Sequence, residues 1–189
     1  MIDTIIKNDN KNKLSVEDLL NEVYLLPKWE KIKTFSLTQK RFLFGIKSYN
    51  VNVFRKFSSK NQLEKYSIRT DDEKVLASMD LKVYKDSVYI INLSLESHVN
   101  FEPLIDKMLQ IAIEKALYNT SDKKVVFNLT SGMLIKNKIR KILIANEFKQ
   151  EENQSSYEKN MFGETFFICI DNSSVWMKKI KQMPILINK

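Results

Sequence analysis

Between residues 104 and 117 the apolar side chains cover most of a helical surface instead of one stripe. Leu104, Ile105, Met108, Leu109, Ala112, Ile113, Ala116 and Leu117 recur at helical spacing. A helix apolar on so many sides has to be buried, and its flanks say against what. Lys74 to Tyr84 and Ser87 to Leu95 read as two strands joined by the tight polar turn Lys85-Asp86. After the helix, Val125 to Leu129 is a short β-branched and apolar strand. Asn100 is placed to cap the helix, and Pro103 falls in its first turn, where a missing N–H breaks no internal bond.

The pattern continues on both sides. Met133 to Phe148 predicts an amphipathic helix through Ile135, Ile139, Ile142 and Leu143, with Lys136, Lys138 and Arg140 turned outward. Glu151 to Lys159 reads as a polar loop, and Phe166 to Ile170 as a last core strand. Upstream, Ser15 caps a helix with Asp18 at the capping-box position and Leu19, Leu20, Val23 and Tyr24 as its stripe, ended by Leu26-Pro27. Residues 29–57 fit two descriptions. Phe42, Phe44 and Ile46 alternate as in a strand, while Leu37, Arg41 and Phe44 suit a helix. Ser58 to Glu64 is a polar connection. The C-terminal half therefore runs β-β-α-β-α-β, an α/β chain with a central mixed sheet and helices on both faces.

A length of 189 residues with 43% hydrophobic content fits one domain with a sizeable core. Residues 1–170 are expected to form that domain, with 1–13 frayed and 171–189 a basic C-terminal extension. No apolar run approaches the ~20 residues that span a bilayer. The first residues mix charges around three isoleucines and lack a secretory core. A single cysteine, Cys169, forms no internal disulfide and suits a reducing, cytoplasmic setting. One histidine and one cysteine make no zinc site, so no metal is expected. Cys169, in an apolar strand, is expected to pack as a small hydrophobe. Ser131-Gly132 matches neither a nucleophile elbow nor a P-loop.

The net charge of +8 favours polyanionic partners, set against a general abundance of lysine along the chain. Two lysine groups stand out as protein- or nucleic-acid-binding candidates: Lys136, Lys138 and Arg140, and Lys178, Lys179 and Lys181. In residues 29–57 aromatics interleave with basic residues, a pattern that stacks and neutralises single-stranded nucleic acid or, more blandly, supplies core aromatics between solvated lysines.

From Ser67 to Ile170 the order of elements resembles the GNAT superfamily of acyl-coenzyme A-dependent N-acyltransferases. The stretch Asp72-Glu73-Lys74-Val75-Leu76-Ala77-Ser78-Met79-Asp80-Leu81, followed by Val88-Tyr89-Ile90-Ile91-Asn92-Leu93-Ser94-Leu95, looks like the family's third and fourth strands leading into its cofactor helix. Phe148 sits where the family closes its next helix with a Gly-Phe pair. The resemblance implies that the backbone of Leu93 to Leu95 splays from its neighbour to receive a pantetheine arm, with Asn100 at the adjoining helix start. It places a general base for an amine nucleophile at Glu96 or His98. The bland alternatives are a solvated Glu96 and a surface or capping His98.

The family's diphosphate motif, Arg or Gln, two residues, Gly, one residue, Gly or Ala, is replaced here by Asn100-Phe101-Glu102-Pro103-Leu104-Ile105. Both small residues are missing, Pro103 removes an N–H donor, and Glu102 opposes an anion at a cost of about 1–4 kcal/mol. The position of the family's proton-donating tyrosine holds Leu143, and Glu147 stands in place of the glycine before Phe148. Two readings stay open. One is a GNAT-like protein, either a divergent N-acyltransferase that uses an acyl-coenzyme A or a non-catalytic descendant with no cofactor. The other is a regulatory binding module acting through its basic surface.

Overall fold

The computed structural model describes residues 28–41, 45–58, 63–96, 101–129, 136–152 and 163–182. The expected N-terminal helix, the cap at Asn100, and most of the loop after Glu152 lie outside them.

In the ambiguous region 29–57 the described residues form an antiparallel pair of long strands, β1 (Glu30–Arg41) and β2 (Gly45–Ser58), while Phe42 and Phe44 lie outside the described residues. The alternation that decides this is chemical. Leu37, Val51 and Val53 are buried, while Thr34, Ser36 and Thr38 reach across the pair to Asn52, Asn50 and Ser48. Cross-strand hydroxyl and amide pairs of this kind stabilise one register of an antiparallel pair. A meander follows through β3 (Leu63–Thr70), β4 (Val75–Val83) and β5 (Ser87–Leu95). The turn between β4 and β5 is the expected one, closed by the Tyr84 N–H on the Ser87 carbonyl at 2.8 Å.

The apolar segment is helix α1 (Phe101–Asn119), which crosses from β5 to the parallel strand β6 (Lys124–Leu129). Leu104, Ile105, Met108, Ala112, Ile113 and Ala116 have no exposed surface. Helix α2 (Lys136–Ala145) leads to the two-residue strand β7 (Lys149–Gln150), then to β8 (Glu164–Cys169) and helix α3 (Val175–Gln182). The eight strands lie in the order β1-β2-β3-β4-β5-β6-β8-β7. The result is the expected central mixed sheet flanked by helices.

Register assigns each strand residue to a face. Val53, Ile68, Ala77, Met79, Leu81, Val88, Ile90, Val125, Phe127, Phe166 and Ile168 share the covered face, in one cluster with the buried residues of α1, α2 and α3. Among the described residues the helices gather on that face, so of the expected helices on both faces they supply one. Cys169, expected to pack, is exposed because Phe166 and Ile168 take the inward positions of β8.

Helix α3 is fastened by a polar lock at the end of α2. Trp176 is 1% exposed and its indole N–H donates to the Asn146 carbonyl at 3.1 Å. The Asn146 side chain donates to Asp106 of α1 and accepts from Lys179 at 2.8 Å. Glu147 takes a left-handed conformation at φ 66°. That conformation costs a non-glycine residue about 1–2 kcal/mol. The Glu147 carboxylate offsets it by accepting the Val175 N–H at 2.9 Å and the Ser174 hydroxyl at 3.1 Å, which caps α3.

Candidate functional site

Strands β5 and β6 are paired only over Ser87–Ile90 and Lys124–Phe127. Beyond Ile90, β5 continues to Leu95 bonded to β4 alone, and β6 continues to Leu129 bonded to β8 alone. The cause is local. Asp80 faces Asn92 but Leu81 faces Ile90, so Ile91 is an extra residue, half exposed at 51%. A bulge of this type bends and twists its strand, and here it turns β5 away from β6. In an extended strand successive residues direct their N–H and C=O groups to opposite sides. Alternate residues of 92–95 therefore present backbone groups to the opening.

The fold is GNAT-like. The central mixed sheet, the meander into β5, the crossover helix and the parting of β5 from β6 carry that description. Solved structures resemble parts of the chain. A variant of the spermidine/spermine N-acetyltransferase SpeG from Vibrio cholerae is 12% identical, with a TM-score of 0.46 over 67% of this chain and 74% of that one. A second variant, of the SpeG spermidine N-acetyltransferase from the same organism, is 11% identical at a TM-score of 0.41, over 59% of this chain and 66% of that one. A Sphaerobacter thermophilus protein assigned to the acetyltransferases is 10% identical at a TM-score of 0.40, over 57% and 70%. No family model and no curated protein matches the sequence.

The candidate cofactor positions Leu93 and Leu95 flank this opening, but their side chains turn to the core. Leu93 is 5% exposed and Leu95 is partly buried against the cluster. What they offer the cleft is backbone. Glu96 follows directly, exposed, with its N–H on the Leu76 carbonyl at 2.9 Å. His98 and Asn100 lie outside the described residues. At the start of α1, Glu102 is exposed in the first turn, where a carboxylate complements the positive helix end, and Ile105 is fully buried. Leu143, at the tyrosine position, is also fully buried and faces no solvent.

The basic cluster on α2 differs from expectation. Lys136 and Arg140, read as outward-facing, both bind Glu164 at the start of β8, opposite Leu129 at the open end of the sheet. Lys136 Nζ stands 2.9 Å from Oε1, and Arg140 Nε donates to Oε2 at 2.9 Å. Burial alone would raise the Glu164 carboxyl, but the hydrogen bonds and charges of Lys136 and Arg140 hold it below the usual range. Spacing of i and i+4 puts the two cations on one helix face, and the sequence signal was there; their carboxylate partner is far away in the chain. Lys138 is exposed. In the second cluster Lys178 and Lys181 are exposed, whereas Lys179 lies 4.6 Å over the Trp176 ring as part of the α3 lock.

A second polar cluster, unmarked in the sequence, lies toward the other end of the sheet. Glu64 accepts from the buried Tyr66 hydroxyl at 2.6 Å and from Lys115 at 2.9 Å. Burial, and then the Glu64 charge, push the Tyr66 phenol upward. Along α1, Lys107 donates to Gln110, which donates to the fully buried Glu114 at 2.7 Å. Burial lowers the Lys107 ammonium. No group of three metal-ligating side chains converges among the described residues, and no helix among them is long and apolar enough to cross a membrane.

Proposed function

We propose that the opening between β5 and β6 receives the pantetheine-like arm of an acyl thioester, and that the chain is a divergent N-acyltransferase whose donor is held without a diphosphate cradle. The observation behind this reading is the loss of pairing after Ile90 and Phe127. An extended, amide-bearing arm matches the alternating backbone groups of β5 that the bulge at Ile91 exposes. An amine would attack the thioester carbonyl directly. Its nitrogen–carbon bond forms as the carbon–sulfur bond breaks, the thiolate leaves, and exposed Glu96 accepts the amine proton through water. His98 is the other candidate base.

The diphosphate end of coenzyme A meets Glu102 and Pro103, which repel an anion and withhold an N–H. Affinity then resides in the arm. Calorimetric titration with acetyl-coenzyme A and with acetyl-pantetheine tests this directly. Affinities within a few fold of each other are expected. Tight coenzyme A binding with none for the pantetheine thioester would overturn the account of Glu102 and Pro103, and binding of neither would remove the cleft reading.

A non-catalytic descendant is the second reading, favoured by the full burial of Leu143, which offers no proton to a leaving thiolate. Amine-dependent release of thiol from acetyl-pantetheine distinguishes it from the first.

A further inference from the structure

We infer that the sheet face opposite the helices is a binding platform for single-stranded nucleic acid, separate from the cleft. Carried across by register, Lys82 of β4 stands beside Tyr89 of β5, and Tyr89 beside Val126 of β6. Val126 then stands beside Phe167 of β8, and Phe167 beside Lys149 of β7. This row crosses five strands, about 19 Å at ordinary strand spacing. An aromatic and apolar centre is bracketed by a lysine at each end. Two positions along β6, Lys124 lies 5.1 Å over the Phe167 ring. Tyr84, 44% exposed, meets Tyr89 edge-on at 5.2 Å, with Lys82 5.2 Å above it. The same face carries Arg69 between Trp29 and Phe54, at 4.7 and 4.8 Å.

Charge complementarity commits the face to a polyanion. Lys82, Lys124 and Lys149 lie on or beside the row. The carboxylates near it include Asp80, ion-paired to Lys65 at 3.8 Å, Glu151 and Glu152 beyond the β7 end, and Asp171 within electrostatic reach of Lys149. Ring faces flanked by lysines suit unpaired bases, because every base offers a stacking surface and every phosphate a charge. Val126, 4% exposed yet outside the main core cluster, is the floor between the two aromatic positions. A duplex hides its base faces and has no equivalent fit.

Fluorescence anisotropy of the full chain with labelled oligo-dT and oligo-U, across a salt series, tests the inference. Binding should weaken steeply with salt, and the K82E/K124E/K149E variant should lose about tenfold or more at low salt, with a salt slope lower by about 2. Tyr89→Leu, which keeps an apolar side chain in the row, should lose about five- to a hundredfold. Lys149 is exposed, whereas Lys82 and Lys124 are half-buried, so thermal melting checks that the charge variant folds. K178E/K181E serves as the off-platform control. No binding, equal losses in the control, or equal affinity for an abasic backbone, heparin or duplex would each overturn the inference, the last by reassigning the face to a bare polyanion or an acidic protein.

Discussion

Ile90 and Phe127 form the last pair between β5 and β6, and the bulge at Ile91 immediately follows it. The opening beyond them is the one place in the described sheet where neighbouring strands part while both continue. If Glu102 and Pro103 are what keep a diphosphate from the adjoining helix end, replacing them restores it. The E102Q/P103G variant should bind acetyl-coenzyme A more tightly by about 1–4 kcal/mol and acetyl-pantetheine unchanged. Calorimetry of both ligands on both proteins checks this, and a parallel gain for both ligands would place the effect elsewhere.

Met108 and Ile113 have no exposed surface in α1. Truncating either to alanine leaves a cavity between the helix and the sheet. A loss of about 2–5 kcal/mol is expected for each, read from urea denaturation midpoints at unchanged slope. Wild-type midpoints would mean that α1 is not the covered crossover.

Glu164 links stability to pH. Its carboxyl titrates below the usual range because Lys136 and Arg140 favour the charged form over the cost of burial. A depressed folded-state value contributes stability above the unfolded value of about 4.3, and that stability fades as pH falls through the folded value. E164Q should therefore cost about 1–3 kcal/mol near neutrality, the range for hydrogen bonds to charged groups. The gap to wild type should close in acid. A gap that persists at low pH would show that the ion triad is not its source.

Glu147 separates a cap from a backbone effect. Glutamate and alanine both tolerate φ 66° poorly, so E147A removes only the carboxylate that caps α3. A loss of about 0.5–2 kcal/mol is expected. E147G loses the same cap but relieves the left-handed strain, and should recover most of that loss. Thermal melts of the three proteins order them, and E147G falling below E147A would contradict the strain argument.

The sequence alone determined the elements whose partners are local or whose pattern is one-sided. The β4–β5 hairpin follows from a short polar turn between two strand-forming runs, and α1 from an apolar surface too broad to leave uncovered. The crossover to β6 follows from those two together, since a helix of that kind needs a sheet on which to lie. What tertiary structure alone decided depends on pairs far apart. Residues 30–41 and 45–58 became strands because Thr34, Ser36 and Thr38 meet Asn52, Asn50 and Ser48, a match no single-segment period contains. Lys136 and Arg140 turned to Glu164, more than twenty residues on, so two lysine-cluster members became structural. Cys169 and Phe167 took the outer face because their register against β6 is set by pairing. Periodicity reports what a segment wants to bury; the partner strand decides which side of the sheet that is.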